Sequence, residues 1–133
     1  LTALANGTAR TILDQAGRSA FLASLDETPT VGAGLRVIRG RINSAAPGTI
    51  LQGAGFTITR NGTGDVTVNY NTPFNGVPAV TSQIEATAGG ANVAQIQGGA
   101  NAPTASKVRF QLVNQVGPVV EDAVFNFIAV GLL

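Results

Sequence analysis

Arg36, Arg39 and Arg41 form the densest gathering of charge in the chain. Guanidinium groups so spaced can hold an anionic glycan or a phosphate through paired N–H donors, whereas the plainer reading makes them strand-face charges paired with Glu121, Asp122 or another subunit. The carboxylates offer less. Asp65 beside Asn61, and Asp26 beside Glu27, come nearest to a cation site, but such residues ordinarily shape turns or cap helices. Residues 31–40 (VGAGLRVIRG) are Gly-rich, yet they lack the G-x-G-x-x-G order, the Lys-Ser/Thr ending and the strand-turn-helix setting of a nucleotide loop.

The absent residue types say more than those present. The 133-residue chain has no His, Cys, Met or Trp, and its Asp and Glu together number 7. Without His or Cys the usual general base, thiolate nucleophile and zinc ligands are missing, so neither an enzyme nor a bound metal or other cofactor is expected. Only 11% of residues are charged against 44% hydrophobic, whereas soluble domains carry roughly 25% charge. Thr, Asn, Gln and Ser must supply the polar surface, and part of the remainder is expected to be covered by partner subunits, because large exposed apolar patches are rare on monomers. The net charge of +1 and aromatic share of 5% give no footprint for nucleic acid. No apolar run approaches the ~18 residues needed to cross a membrane as a helix, and no secretory pattern is present. The opening Leu1 suggests a processed product or the ordered piece of a longer chain.

The elements that would position these groups fall into two zones. Residues 1–34 read as a helical segment followed by a linker. Ile12, Leu13, Ala16 and Ala20 share a helical face that Phe21, Leu22 and Leu25 extend, Thr8 and Asp14 are candidate caps, and Gly17 divides the run, so two short helices are expected. At that length they need something to dock on. Pro29, Gly32 and Gly34 then end helical structure.

Residues 35–133 carry the alternation of strands. In 55–70 (GFTITRNGTGDVTVNY), Phe56, Ile58, Val66, Val68 and Tyr70 fall on one face and Thr57, Thr59, Thr67 and Asn69 on the other, around a turn whose residues tolerate positive φ. That is a β-hairpin with Tyr70 pointing into the core. Further strands are expected at 35–43, 49–52, 79–87, 92–97, 107–114 and 123–130, separated by Gly-, Pro- and Asn-rich turns. The resulting fold is an all-β antiparallel sandwich of about six to eight short strands. The strand at 123–130 is apolar on both faces, so it should be central or covered on one face by another subunit.

Two stretches carry a family resemblance. Residues 1–5 (LTALA), 7–14 (GTARTILD) and 18–25 (RSAFLASL) resemble the short helical element that recurs in bacteriophage tail-fibre shafts. Residues 39–43 (RGRIN), 55–59 (GFTIT), 70–74 (YNTPF), 77–80 (VPAV) and 125–131 (FNFIAVG) resemble terminal β-sandwich modules of phage fibres and of bacterial collagen-like surface proteins, similar in layout to trimeric H-type lectin domains. The resemblance implies a homotrimeric fibre module located on the virion, with other tail proteins and a host cell-surface glycan or protein as partners, and without nucleic-acid binding or membrane insertion. In such a trimer Leu4, Ile12, Leu13, Phe21, Leu22 and Leu25 would pack near the three-fold axis. Loops 61–65, 71–76 and 98–104 would meet the receptor, which makes Asn61, Asp65, Asn75 and Asn101 the candidate receptor-binding residues. The lectin sugar site does not carry over, because there is no Trp and the single Tyr is assigned to the core. The NGT sequences at 6–8 and 61–63 match the glycosylation pattern by chance on this reading. Alternatives are a head fibre or spike, the trimerisation domain of a bacterial collagen-like protein at the cell surface, and a soluble carbohydrate-binding lectin. A depolymerase comes last, since the carboxylates are few and not visibly paired.

Overall fold

Alternation of apolar and polar side chains, read strand by strand, builds two antiparallel sheets. The computed structural model describes residues 34–85 and 90–133. Within them the strands are β1 (Leu35–Asn43), β2 (Thr49–Gly53), β3 (Phe56–Gly62), β4 (Asp65–Tyr70), β5 (Ala79–Ile84), β6 (Val93–Ile96), β7 (Lys107–Asn114), β8 (Val119–Val120) and β9 (Val124–Leu132). Sheet A runs β2-β1-β9-β5; sheet B runs β3-β4-β7-β6, with β8 also on β7. The antiparallel all-β expectation therefore holds, and β9 lies between β1 and β5, the central one of the two settings expected for its two-faced apolar sequence. The helices expected before residue 28, and with them Leu4, Ile12, Leu13, Phe21, Leu22 and Leu25, lie outside the described residues.

The fifth strand is described over Ala79–Ile84, with Glu85 N–H still donating to the Val124 carbonyl at 2.9 Å, and the rest of its expected extent, 86–87, lies outside the described residues. β8 was not expected. It takes up the edge of β7 where β4 gives way to the turn at Gly64: Leu112 N–H donates to the Gly64 carbonyl at 2.7 Å, and beyond it Val113 pairs with Val120.

The core lies between the inner faces of the sheets. Sheet A contributes Ile38, Ile42, Phe125, Phe127 and Ala129, and sheet B contributes Phe56, Val66, Val68, Tyr70, Val108, Phe110 and Leu112. Phe56 meets Phe127 edge-on with centroids 5.1 Å apart, while Phe110 leans on both Phe125 and Phe127 at 5.1 and 5.8 Å. Burial of each such ring contributes roughly 1.5–3 kcal/mol. Gly40 makes this cluster possible, because a Cβ there would stand 2.4 Å from Phe56 Cζ and 2.6 Å from Phe127 Cε1.

Both ends of the core are closed by polar groups. At one end Arg36 lies over the Phe74 ring, 4.1 Å from its centroid, and donates to the carbonyls of Thr72 and Pro73. Tyr70 packs edge-on against the same ring at 4.9 Å. Burial pushes the Tyr70 phenol up to about 12, and its hydroxyl has no hydrogen-bond partner among the described residues. At the other end Asp122 ties three connections together: its Oδ1 accepts from Gly64 N–H at 2.7 Å and Ser44 Oγ–H at 3.0 Å, and its Oδ2 accepts from Arg60 Nη2 at 3.0 Å. Arg60 Nε also reaches the Ser44 carbonyl at 2.8 Å. Ser44 is fully buried, and its hydroxyl oxygen accepts from Ala123 N–H at 2.9 Å, so the latch is satisfied in both directions.

Candidate functional site

The outer face of sheet B brings three of the four expected receptor-binding residues together. Side chains opposite the buried set of β3, β4 and β7 form transverse rows, Thr57–Asn69–Lys107 and Thr59–Thr67–Arg109, with Asp65 and Gln111 side by side beyond them. The sequence supplies almost only hydroxyls and amides here, with Arg109, Asp65 and Lys107 as the charged groups. Arg109 is the hub. Its Nε and Nη2 donate to the two carboxylate oxygens of Asp65 at 2.8 and 2.6 Å, and its Nη1 donates to Asn101 Oδ1 at 3.0 Å.

The remaining bonds extend this fork into a network. Asn61 Nδ2 donates to Asp65 Oδ1 at 3.1 Å and to Thr67 Oγ1 at 2.9 Å, and Asn101 Nδ2 donates to Gln97 Oε1 at 3.0 Å. A 3-10 turn over Gly99–Asn101, entered through Gly99 at φ +59°, sets Asn101 within reach of the guanidinium. Bidentate pairing with Arg109 holds the Asp65 carboxyl below its ordinary 3.8; burial opposes this and the Asn61 bond adds to it. The carboxylate is thus ionised and fully engaged, which suits it to orienting Arg109 and not to taking up a proton. Chemically, the face offers neutral donors and acceptors fixed on strands, fit for the hydroxyls of a polar ligand.

One expectation about these residues needs correction, and part of the predicted set lies apart from the network. Asp65 is not a loosely solvated turn residue: it is the first residue of β4, and its side chain is 17% exposed. Asn75 does not join the group; its N–H donates to the Leu132 carbonyl at the far end of sheet A, and its side chain is exposed. Nor do the three loops converge. Residues 61–65 turn at one end of the β3–β4 hairpin, while the loop from Asn71 starts at the other, where Asn71 N–H donates to the Gly55 carbonyl at 2.9 Å. Arg109 escaped the sequence reading. Alternation alone would have put it outward with Lys107 and Gln111, opposite buried Val108 and Phe110.

The arginine group also separates. Alternation along β1 turns Arg36 inward, over Phe74, and Arg39 and Arg41 outward. Arg41 does not pair with Glu121 or Asp122; it forms a two-point ion pair with Glu85, Nε to Oε1 at 2.5 Å and Nη2 to Oε2 at 2.7 Å, across β9. Asp122 is taken by Arg60. Arg39 has no ion-pair or hydrogen-bond partner among the described residues. Comparison of the chain with family models, with curated proteins and with solved structures finds no match. Among the described residues no cluster of three or more His, Cys, Asp or Glu could hold a metal ion, and no helix is long and apolar enough to cross a membrane.

Proposed function

We propose that this chain is a non-enzymatic module of a bacteriophage tail fibre, assembled as a homotrimer and serving host-surface attachment. One observation carries the reading: the outer face of sheet A is left apolar at one end. Leu35 and Leu132 are cross-strand partners there, Val37 pairs with Val130, and Val130 pairs in turn with Ala79. Leu35 is 54% exposed and Val37 58%. A chain with so little charge that also leaves such rows uncovered is suited to burying them against a second copy of itself.

The outer face of sheet B supports the attachment half of the reading. Its bonded groups brace one another on the strands, and Thr57 and Gln111, whose side chains make no hydrogen bond among the described residues, face outward beside them toward a glycan. A single site without aromatic stacking binds weakly, and three copies engaged at once raise apparent affinity without new contacts. The experiment is native mass measurement of the full chain together with adsorption of the same sample to panels of bacterial cells. Three subunits and saturable adsorption that falls in Arg109→Ala support the proposal. A stable monomer refutes the assembly half, and a trimer that adsorbs to no cell surface reduces the module to architecture.

A further inference from the structure

The strongest unassigned feature is a groove on the outer face of sheet A, next to the apolar rows and on the opposite side of the sandwich from the Arg109 network. It forms where β1 and β2 shift register between Arg41 and Ile42. Gly53, at φ +114°, lets β2 lie close against β1 at its floor: a Cβ there would stand 2.4 Å from the Arg39 carbonyl oxygen and 2.9 Å from Phe56 Cε1 on the core side. The groove measures about 550 Å³ and is lined by Arg39, Arg41, Gln52, Gly53, Asn126 and Ile128 among others. That volume lies within the range of small-ligand sites, ~300–1,000 Å³.

Its polar groups divide into held and free. Arg41 is fixed by Glu85 through Nε and Nη2, which leaves Nη1 without a hydrogen bond among the described residues. Asn126 Nδ2 donates to Glu85 Oε1 at 3.3 Å, so its carbonyl oxygen is open to a donor. Arg39 and Gln52 make no side-chain hydrogen bond among the described residues. The groove therefore presents one unengaged guanidinium, a second with a spare nitrogen, and two amides, beside the apolar surface of Ile128, which is 43% exposed.

From this geometry we infer that the groove is a binding site for a saccharide bearing a carboxylate, such as a uronate. Arg39 supplies the planar fork that matches a carboxylate, Gln52 and Asn126 match hydroxyl groups, and Ile128 meets a face of C–H bonds. Arg39 and Arg41 against Glu85 leave a single uncompensated positive charge, which draws an anion. The contacts that Gln52, Asn126 and Ile128 can make with a sugar ring, which inorganic phosphate lacks, then favour the saccharide. The inference adds a second site, on the other sheet, to the attachment reading and rests on that reading for biological use, but the binding itself requires no trimer.

The test is amide-resolved NMR titration of the full chain with methyl β-D-glucuronide, methyl β-D-glucoside and inorganic phosphate. Arg39→Gln, Arg39→Lys and Val116→Ser are titrated beside the unaltered chain. The expected result is saturable shifts at Gly40, Gln52, Gly53 and Ile128, with the glucuronide bound at least about tenfold more tightly than the glucoside or phosphate. Arg39→Gln should abolish that preference, Arg39→Lys should recover part of it, and Val116→Ser, at an exposed turn position away from the groove and from the outer face of sheet B, should leave it intact. Equal response to the two sugars, phosphate binding as tightly as the glucuronide, or equal loss in Arg39→Gln and Val116→Ser would each overturn the inference. Sedimentation of the same samples separates the two proposals: a monomer that binds glucuronide retires the trimer and keeps the groove, and a trimer that does not bind retires the groove alone.

Discussion

The two outer faces of the sandwich solve the problem of facing water in opposite ways. On sheet B, hydroxyls, amides and the Arg109–Asp65 pair bond to one another across the strands, so the face is complete within one chain. On sheet A, Leu35, Val37 and Ile128 stand exposed beside an Arg39 with no partner among the described residues. Both sheets share one core and similar strand lengths, so folding does not explain the contrast. It points to different partners: solvent or a polar ligand for sheet B, a second surface for part of sheet A.

The largest effect on this comparison should come from beneath it. In Gly40→Ala the new methyl would drive into Phe56 and Phe127 under sheet A, and overpacking of that kind should cost about 3 kcal/mol in urea unfolding. Gly62→Ala in sheet B meets nothing within 4 Å and has no positive φ to strain, so its midpoint should stay within about 0.5 kcal/mol of the parent. Equal sensitivity at both positions would mean the packing under the two sheets has been misread.

Next comes the latch joining the sheets. Asp122→Ala strands Arg60, Gly64 N–H and Ser44, and should cost about 2 kcal/mol. Burial pushes the Asp122 carboxyl upward, but the bonds from Gly64, Arg60 and Ser44 outweigh it and set it below 3.8. A carboxyl lowered on folding stabilises fully above its unfolded value and loses that contribution as acid reaches its folded value. Asp65 is lowered as well. Unfolding followed from pH 6 down to pH 2 should therefore show a loss of stability beginning near pH 4, shallower in Asp122→Ala and in Asp65→Asn. An acid limb unchanged in both variants would remove these carboxylates from the account.

The smallest effect has the opposite sign. Tyr70→Phe removes a buried hydroxyl without a partner among the described residues while keeping the ring against Phe74, so stability should hold or rise by up to about 1 kcal/mol. Because burial raises the phenol from 10.0 to about 12, the parent should lose stability as pH climbs through that interval, and the variant should lose less. Clear destabilisation by Tyr70→Phe would reveal a bond to that hydroxyl.

Much of the sandwich was legible because the pattern of a half-buried strand is local. Phe56, Val66, Val68 and Tyr70 alternate with polar residues, and each is buried as read. β1 and β7 begin and end where their patterns do. What escaped depends on register between distant strands. Arg109 and Asp65 are 44 positions apart, as are Arg41 and Glu85, and no periodicity within one strand announces either pair. β8 escaped for a related reason: Val119 and Val120 follow a Gly-Pro turn and become a strand only because β4 leaves the edge of β7 open. The candidate site was half visible. Its amides stood out as turn residues, but the arginine that gathers them lay inside a strand.

The contrast between the faces is tested most directly by placing the same charge on each. Val37→Asp and Thr57→Asp both alter exposed outward positions, on sheet A and sheet B respectively. Sedimentation equilibrium of the full chain should show a trimer for the parent and for Thr57→Asp, and a folded monomer for Val37→Asp. A parent that is already monomeric, or a Val37→Asp variant that assembles as tightly as Thr57→Asp, would contradict the account.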